Sequence, residues 1–142
     1  MPLRVRWAEV DMQSVVFNGH YLTYADVCAT EYWRAIGVPY PTGFANLGVD
    51  AFVRKATIEY HAPARYDDEL LVCGRIARLG GSSASFAVAM FRAGDTSRPL
   101  VEAELIYVCV DRSGGPVSWP VQLRERMHRF ELVAPAEGKR RG

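Results

Sequence analysis

The chain has 142 residues, 49% of them apolar and 23% charged, with a net charge of +1. This length and composition suit a single domain over 1–142, with residues 136–142 a basic tail that ends in KRRG. The near-neutral balance excludes charge-driven binding to nucleic acid, and no run is apolar and long enough for membrane insertion. Cys28, Cys73 and Cys109 are odd in number, far apart and free of any CxxC spacing, so they read as reduced thiols packed in a core. With a charged N-terminus, MPLRVRWAEVD, they give the expectation of a cytoplasmic protein.

In chain order, Leu3, Val5 and Trp7 alternate with Arg4 and Arg6, which predicts a short strand over 3–8. A loop over 9–20 follows. Residues 21–36, YLTYADVCATEYWRAI, predict a helix stopped by Gly37 and Pro39. Its polar residues Thr23, Asp26, Thr30 and Arg34 recur at steps of three and four as one narrow stripe. The helix is therefore expected to be buried around most of its circumference.

A Gly- and Pro-rich loop over 37–50 leads to four strand-like runs, at 51–61, 69–79, 83–93 and 99–111. Gly80-Gly81-Ser82 and Gly94-Asp95-Thr96-Ser97-Arg98 join the last three as antiparallel hairpins. WPVQLRERMHRFE, after Gly114-Gly115-Pro116, predicts a short terminal helix. One long helix with this many antiparallel strands implies an α+β architecture, a curved sheet wrapped around the helix. A sheet edge or uncovered face is then left for a second subunit.

Asp11 is the residue around which chemistry can be argued. It stands just before an apolar patch (Val15, Val16, Phe17) and a polar turn (Asn18, Gly19, His20) that opens into the helix. A helix start offers unpaired N–H groups and the positive end of the macrodipole. A carboxylate facing it can attack a carbonyl or activate water while the N–H groups hold the developing oxyanion. The plain alternatives are a loop aspartate and a helix-capping asparagine, and the capping and main-chain roles of Asn18 are compatible.

The segment Asp11-Met12-Gln13-Ser14-Val15-Val16-Phe17-Asn18-Gly19-His20-Tyr21 resembles the N-terminal motif of the hotdog-fold acyl-CoA thioesterases of the 4-hydroxybenzoyl-CoA thioesterase type. That group includes the thioesterase associated with the Tol-Pal system. Tyr60 to Leu70, with Pro63-Ala64-Arg65 and Asp67-Asp68-Glu69-Leu70, and the turn from Arg78 to Ser83 support it. The resemblance covers residues 3–125. It departs at Ser14, where glycine is usual, and at Asn18, where many relatives carry histidine or tyrosine.

The resemblance implies a hotdog fold and hydrolysis of an acyl-CoA thioester to free acid and CoA, with no cofactor and no metal. It implies Asp11 as the catalytic carboxylate, the Asn18 N–H as oxyanion donor, and Gly19 as the point of close approach. Ser14, Val16, Phe17 and Tyr21 are expected around the substrate. Asp26 faces either a hydroxyl on an aromatic acyl group or a backbone or arginine partner. Arg65, one of several cations with Lys55, Arg75 and Arg92, would meet CoA phosphate, and Ser82 and Ser83 would reach ligand from a partner subunit. A homodimer or dimer of dimers is expected.

Two other readings stay open on the sequence. A hotdog dehydratase or hydratase would pair His20 with Glu31 or Asp26. A non-catalytic acyl-thioester binding module would use the same pocket without turnover. HExxH, GxSxG and the phosphate-binding glycine loops are absent, and His20, His61 and His128 do not stand at metal spacing.

Overall fold

A computed structural model describes residues 1–137. Its order is β1 (Pro2–Arg4), a 3-10 turn (Trp7–Glu9), α1 (His20–Ala35), α2 (Thr42–Asn46), β2 (Asp50–Tyr60), β3 (Glu69–Leu79), β4 (Ser83–Arg92), β5 (Val101–Val110), α3 (Val121–Phe130) and β6 (Ala136–Glu137). Among the described residues the strands form one sheet, ordered β1-β3-β4-β5-β2, with β6 alongside β3. The four long strands are antiparallel, as the short glycine turns require. Their inward residues alternate, Leu70, Val72 and Ile76 on β3 with Ala84, Phe86, Val88 and Met90 on β4, and all are buried.

α1 lies across that inner face. Tyr21, Tyr24, Ala25, Cys28, Ala29, Tyr32 and Trp33 form its buried stripe at helical spacing. Gly74 makes the approach close. A Cβ there would stand 2.8 Å from Phe86 Cε1 and 2.9 Å from Cys28 Sγ, inside van der Waals contact. This is the α+β hotdog architecture, a sheet curved around one long helix.

Several local expectations are corrected. The strand expected over 3–8 ends at Arg4, because residues 7–9 coil into a 3-10 turn that leaves Trp7 75% exposed. The loop over 37–50 contains α2, which plants Phe44 against Trp33. α1 is not buried around most of its girth in the single chain. Leu22, Thr23, Asp26, Val27, Glu31 and Arg34 are exposed, since the sheet covers only one side. Cys28 and Cys109 are buried, but Cys73 faces outward from β3 and is exposed. The tail is structured at its start, where Ala136 and Glu137 pair in parallel with Arg78 and Leu79. Its remainder, 138–142, lies outside the described residues. No helix among the described residues is long and apolar enough to cross a membrane.

Candidate active site

The 3-10 turn and α1 bracket the loop that carries the motif. Val10 and Val15 turn the chain back on itself. Val10 bridges Val16, and Val15 bridges Arg65. The Val16 N–H donates to Ala64 O at 2.9 Å, and the Ala64 N–H donates to Tyr21 Oη at 3.0 Å. The loop is thereby sewn to the segment that follows β2 on one side and to α1 on the other. Within it, Asp11 Oδ1 accepts the Gln13 N–H at 2.8 Å, and Asp11 O accepts the Ser14 N–H at 3.0 Å. This tight turn forces Ser14 to a φ of 63°, the left-handed region that favours glycine.

A cavity of about 290 Å³ opens beside the loop. Asp11, Val16, Asn18 and Tyr21 line it together with Tyr60, His61, Ala62 and Pro63. Tyr60 stacks edge-on to Tyr21 and donates its hydroxyl hydrogen bond to Asn18 O at 3.1 Å. The Asn18 side chain caps nothing, and among the described residues no group accepts a hydrogen bond from its N–H. Gly19 follows as the N-cap. A Cβ on it would stand 3.2 Å from the Phe17 ring, so this corner has room for little else. Burial pushes the Tyr21 hydroxyl above its ordinary range, and it is committed to the Ala64 N–H. Tyr21 is a wall of the cavity.

The remaining candidates divide. Ser14 and Phe17 lie on the motif loop outside the cavity lining, and Phe17 is half exposed. Arg65 flanks the loop through its bridge to Val15, and its guanidinium has no ion-pair partner among the described residues. By contrast, Arg92 is held by Asp68 at 3.3 Å and by Pro63 O at 3.2 Å, and Arg75 by Val133 O at 3.3 Å.

Asp26 is not part of the Asp11 cavity. It opens on a second hollow of about 290 Å³ with Thr30, Trp33, Tyr40, Phe52 and Tyr107. The side chain is exposed, so the buried partner expected of it is not needed in the single chain. Ser82 and Ser83 lie at the β3–β4 turn, where their carbonyls accept from the Cys109 N–H and Trp119 Nε1, and they do not join the Asp11 cavity within one chain.

The pairing of His20 with Glu31 or Asp26 expected of a dehydratase is not assembled. His20 packs edge-on against Phe17 and does not line the Asp11 cavity. Glu31 is taken by Arg34, the helix-surface pair expected from their spacing. His61, by contrast, lines the Asp11 cavity, and its Nε2 stands 3.0 Å from Glu102 and 3.9 Å from Glu59. The face of the sheet away from α1 carries a groove of about 570 Å³, floored by Cys73, Ala87 and Ala89 and rimmed by Glu59, Glu102 and Glu104. It holds none of the motif residues. The Asp11 cavity brings together Asp11 and Asn18, whose N–H is unengaged among the described residues, at the entry to α1.

One residue of the neighbourhood escapes a reading of the sequence. Glu9 is 4% exposed, a buried carboxylate two residues before Asp11. A glutamate in a charged N-terminal segment carries no sign of burial, since Arg6 and Tyr24 enclose it only once the 3-10 turn and α1 meet.

The thioesterase superfamily pattern matches residues 13–98, more than half of the chain. The acyl-CoA thioester hydrolase YbgC of Escherichia coli is 36% identical over 133 residues, spanning 94% of this chain and 91% of that protein. The Haemophilus influenzae acyl-CoA thioesterase YbgC is 25% identical, spanning 92% and 94%. A crystal structure of a Pseudomonas aeruginosa protein superposes with a TM-score of 0.82 at 27% identity, covering 94% of this chain and 91% of the other. A 1,4-dihydroxy-2-naphthoyl-CoA thioesterase from Synechocystis shares the fold at a TM-score of 0.82 and 17% identity, covering 92% and 95%. On the family pattern and the extent of these matches, the chain belongs to the thioesterase superfamily, with the hotdog fold.

Proposed function

We propose that the protein hydrolyses an acyl-CoA thioester to the free acid and CoA at the Asp11 cavity. The observation that carries this reading is that Asp11 and Asn18, whose N–H is unengaged among the described residues, line one small cavity at the entry to α1. Similarity to acyl-CoA thioester hydrolases over nearly the whole chain supports the choice of substrate.

The thioester carbonyl oxygen points at the Asn18 N–H, where the helix end favours negative charge. Gly19 keeps that corner open. Asp11 then acts in one of two ways. It attacks the carbonyl carbon and expels CoA thiolate, leaving a mixed anhydride that water opens. Otherwise it takes a proton from water, which attacks the carbonyl itself. In both routes CoA leaves as thiolate and is protonated by solvent, no cofactor takes part, and Asp11 returns as carboxylate. Val16 and Tyr21 frame the reacting end, and Ser14 and Phe17 support it from the motif loop. Arg65, unpaired beside the loop, is placed to meet CoA phosphate.

The active unit in this reading is a homodimer or a dimer of dimers. β2 is an edge strand whose Phe52, Val53 and Tyr60 are about half exposed, and the uncovered face of α1 adds Leu22 and Val27. A second copy pairing along β2 would cover this edge and bring its Asp26 hollow and its Ser82–Ser83 turn to complete the neighbour's site. The aromatic walls Trp33, Tyr40 and Tyr107 then receive the acyl group, and Asp26 accepts a hydrogen bond from a hydroxyl where an aromatic acyl group carries one.

The test is CoA thiol release from a panel of aromatic, short-chain and medium-chain acyl-CoA esters, run beside hydration of an enoyl-CoA. Hydrolysis of at least one ester with no hydration is the expected result. Hydration without hydrolysis would make the protein a hydratase, and tight CoA-ester binding without turnover would make it a binding module.

A further inference from the structure

We infer that Glu9 is a positioning residue that fixes the Asp11 carboxylate relative to the Asn18 N–H, an inference that rests on the roles proposed for those two groups. Glu9 is joined to both. Along the chain, Asp11 follows it by two residues. Across the loop, Glu9 O accepts the Phe17 N–H at 2.9 Å, and Phe17 immediately precedes Asn18. The two reacting groups thus leave one residue in opposite directions, and any rotation of the Glu9 peptide moves them relative to each other.

The side chain holds that peptide still. Glu9 Oε1 accepts the Arg6 N–H at 2.7 Å, and Oε2 accepts Arg6 Nη2 at 3.0 Å. Together with the Glu9 N–H to Arg6 O bond at 3.0 Å, this closes the 3-10 turn on itself. The carboxylate is nearly sealed from water, while its partner guanidinium is exposed. It lies against the buried hydroxyl of Tyr24 on α1, and the two groups interact. Burying a carboxylate here costs more than an apolar side chain would, and none of its contacts reaches the Asp11 cavity. Charge-assisted bonds confer rigidity and a defined geometry, and a reacting pair needs both, since small misplacements are expensive in rate.

Glu9→Gln tests this, because it keeps the shape and removes the charge. Steady-state hydrolysis is measured for wild type, Glu9→Gln, Asp11→Asn and the double variant, below the melting temperature of each. The expected result is a fall in kcat of roughly tenfold with KM within about twofold, and no further fall when Glu9→Gln is added to Asp11→Asn. An unchanged kcat, or an equal loss in both backgrounds, would overturn the inference.

A second measurement does not depend on turnover. Amide exchange at Phe17 is expected to quicken by about tenfold in Glu9→Gln while β4 and β5 stay protected, and unchanged exchange at Phe17 would overturn the inference. Should wild type hydrolyse no ester, the reading of Asp11 fails, and exchange still decides whether Glu9 holds the loop. Glu9→Asp, which keeps the charge, supplies both measurements if the glutamine variant does not fold.

Discussion

Ser14 pays for the shape of the motif loop, with a non-glycine backbone at a φ of 63°. A left-handed residue with a Cβ costs about 1–2 kcal/mol, and glycine gives back part of that gain as unfolded-state entropy. Ser14→Gly is therefore expected to stabilise the fold by roughly 0.5–1 kcal/mol, read as a rise in Tm of about 2–4 °C. A fall in Tm would show that the hydroxyl holds the loop.

Glu9 sets a second expectation. Burial pushes its carboxyl up, but the hydrogen bonds from Arg6 and Tyr24, together with the Arg6 charge, hold it below its ordinary value of 4.5. A carboxyl depressed in the folded state contributes stability above its unfolded pKa, and loses that contribution as pH falls through the folded value. Stability is expected to decline as pH drops below about 4.5, with a shallower decline in Glu9→Gln, measured by urea unfolding at a series of pH values. Asp11 and Asn18 were legible in the sequence because their motif is local. Glu9 was not, because its partner Tyr24 comes to it only through the packing of α1.

At the scale of elements, strand runs and hairpin turns could be read directly. Alternation along 69–79 and 83–92 survives in the sheet, and glycine at 80, 81 and 94 marks the turns. The failures have one cause. Leu3, Val5 and Trp7 alternate like a strand, but Glu9 captures the Arg6 N–H and coils the chain before Trp7 can pair. The apolar residues of α1 likewise fix a helix but not how far the sheet reaches around it.

Gly74 was not singled out by its neighbours in sequence, yet it sets the distance from α1 to β3. Gly74→Ala is expected to destabilise the protein by about 1–3 kcal/mol, since the new methyl meets Phe86 and Cys28. Thermal unfolding within error of wild type would mean that α1 can rise off the sheet at no cost.

For the whole molecule, the exposed edge of β2 and the apolar residues on the open face of α1 call for cover. Sedimentation equilibrium is expected to give twice or four times the chain mass of 15.9 kDa, and a monomer at assay concentration would remove the partner's share of the site. The partner is also the part that one chain cannot spell out. Asp26, Ser82 and Ser83 stand apart from Asp11 in the single chain, so the roles expected of them rest on the proposed dimer.

The most direct measurement is kcat for CoA release from the best acyl-CoA ester by wild type and by Asp11→Asn. Removal of the carboxylate charge is expected to lower kcat by roughly a hundredfold or more, with Tm preserved. Hydrolysis that proceeds undiminished in Asp11→Asn would contradict the account, because the cavity would then hold a carboxylate that the reaction does not use.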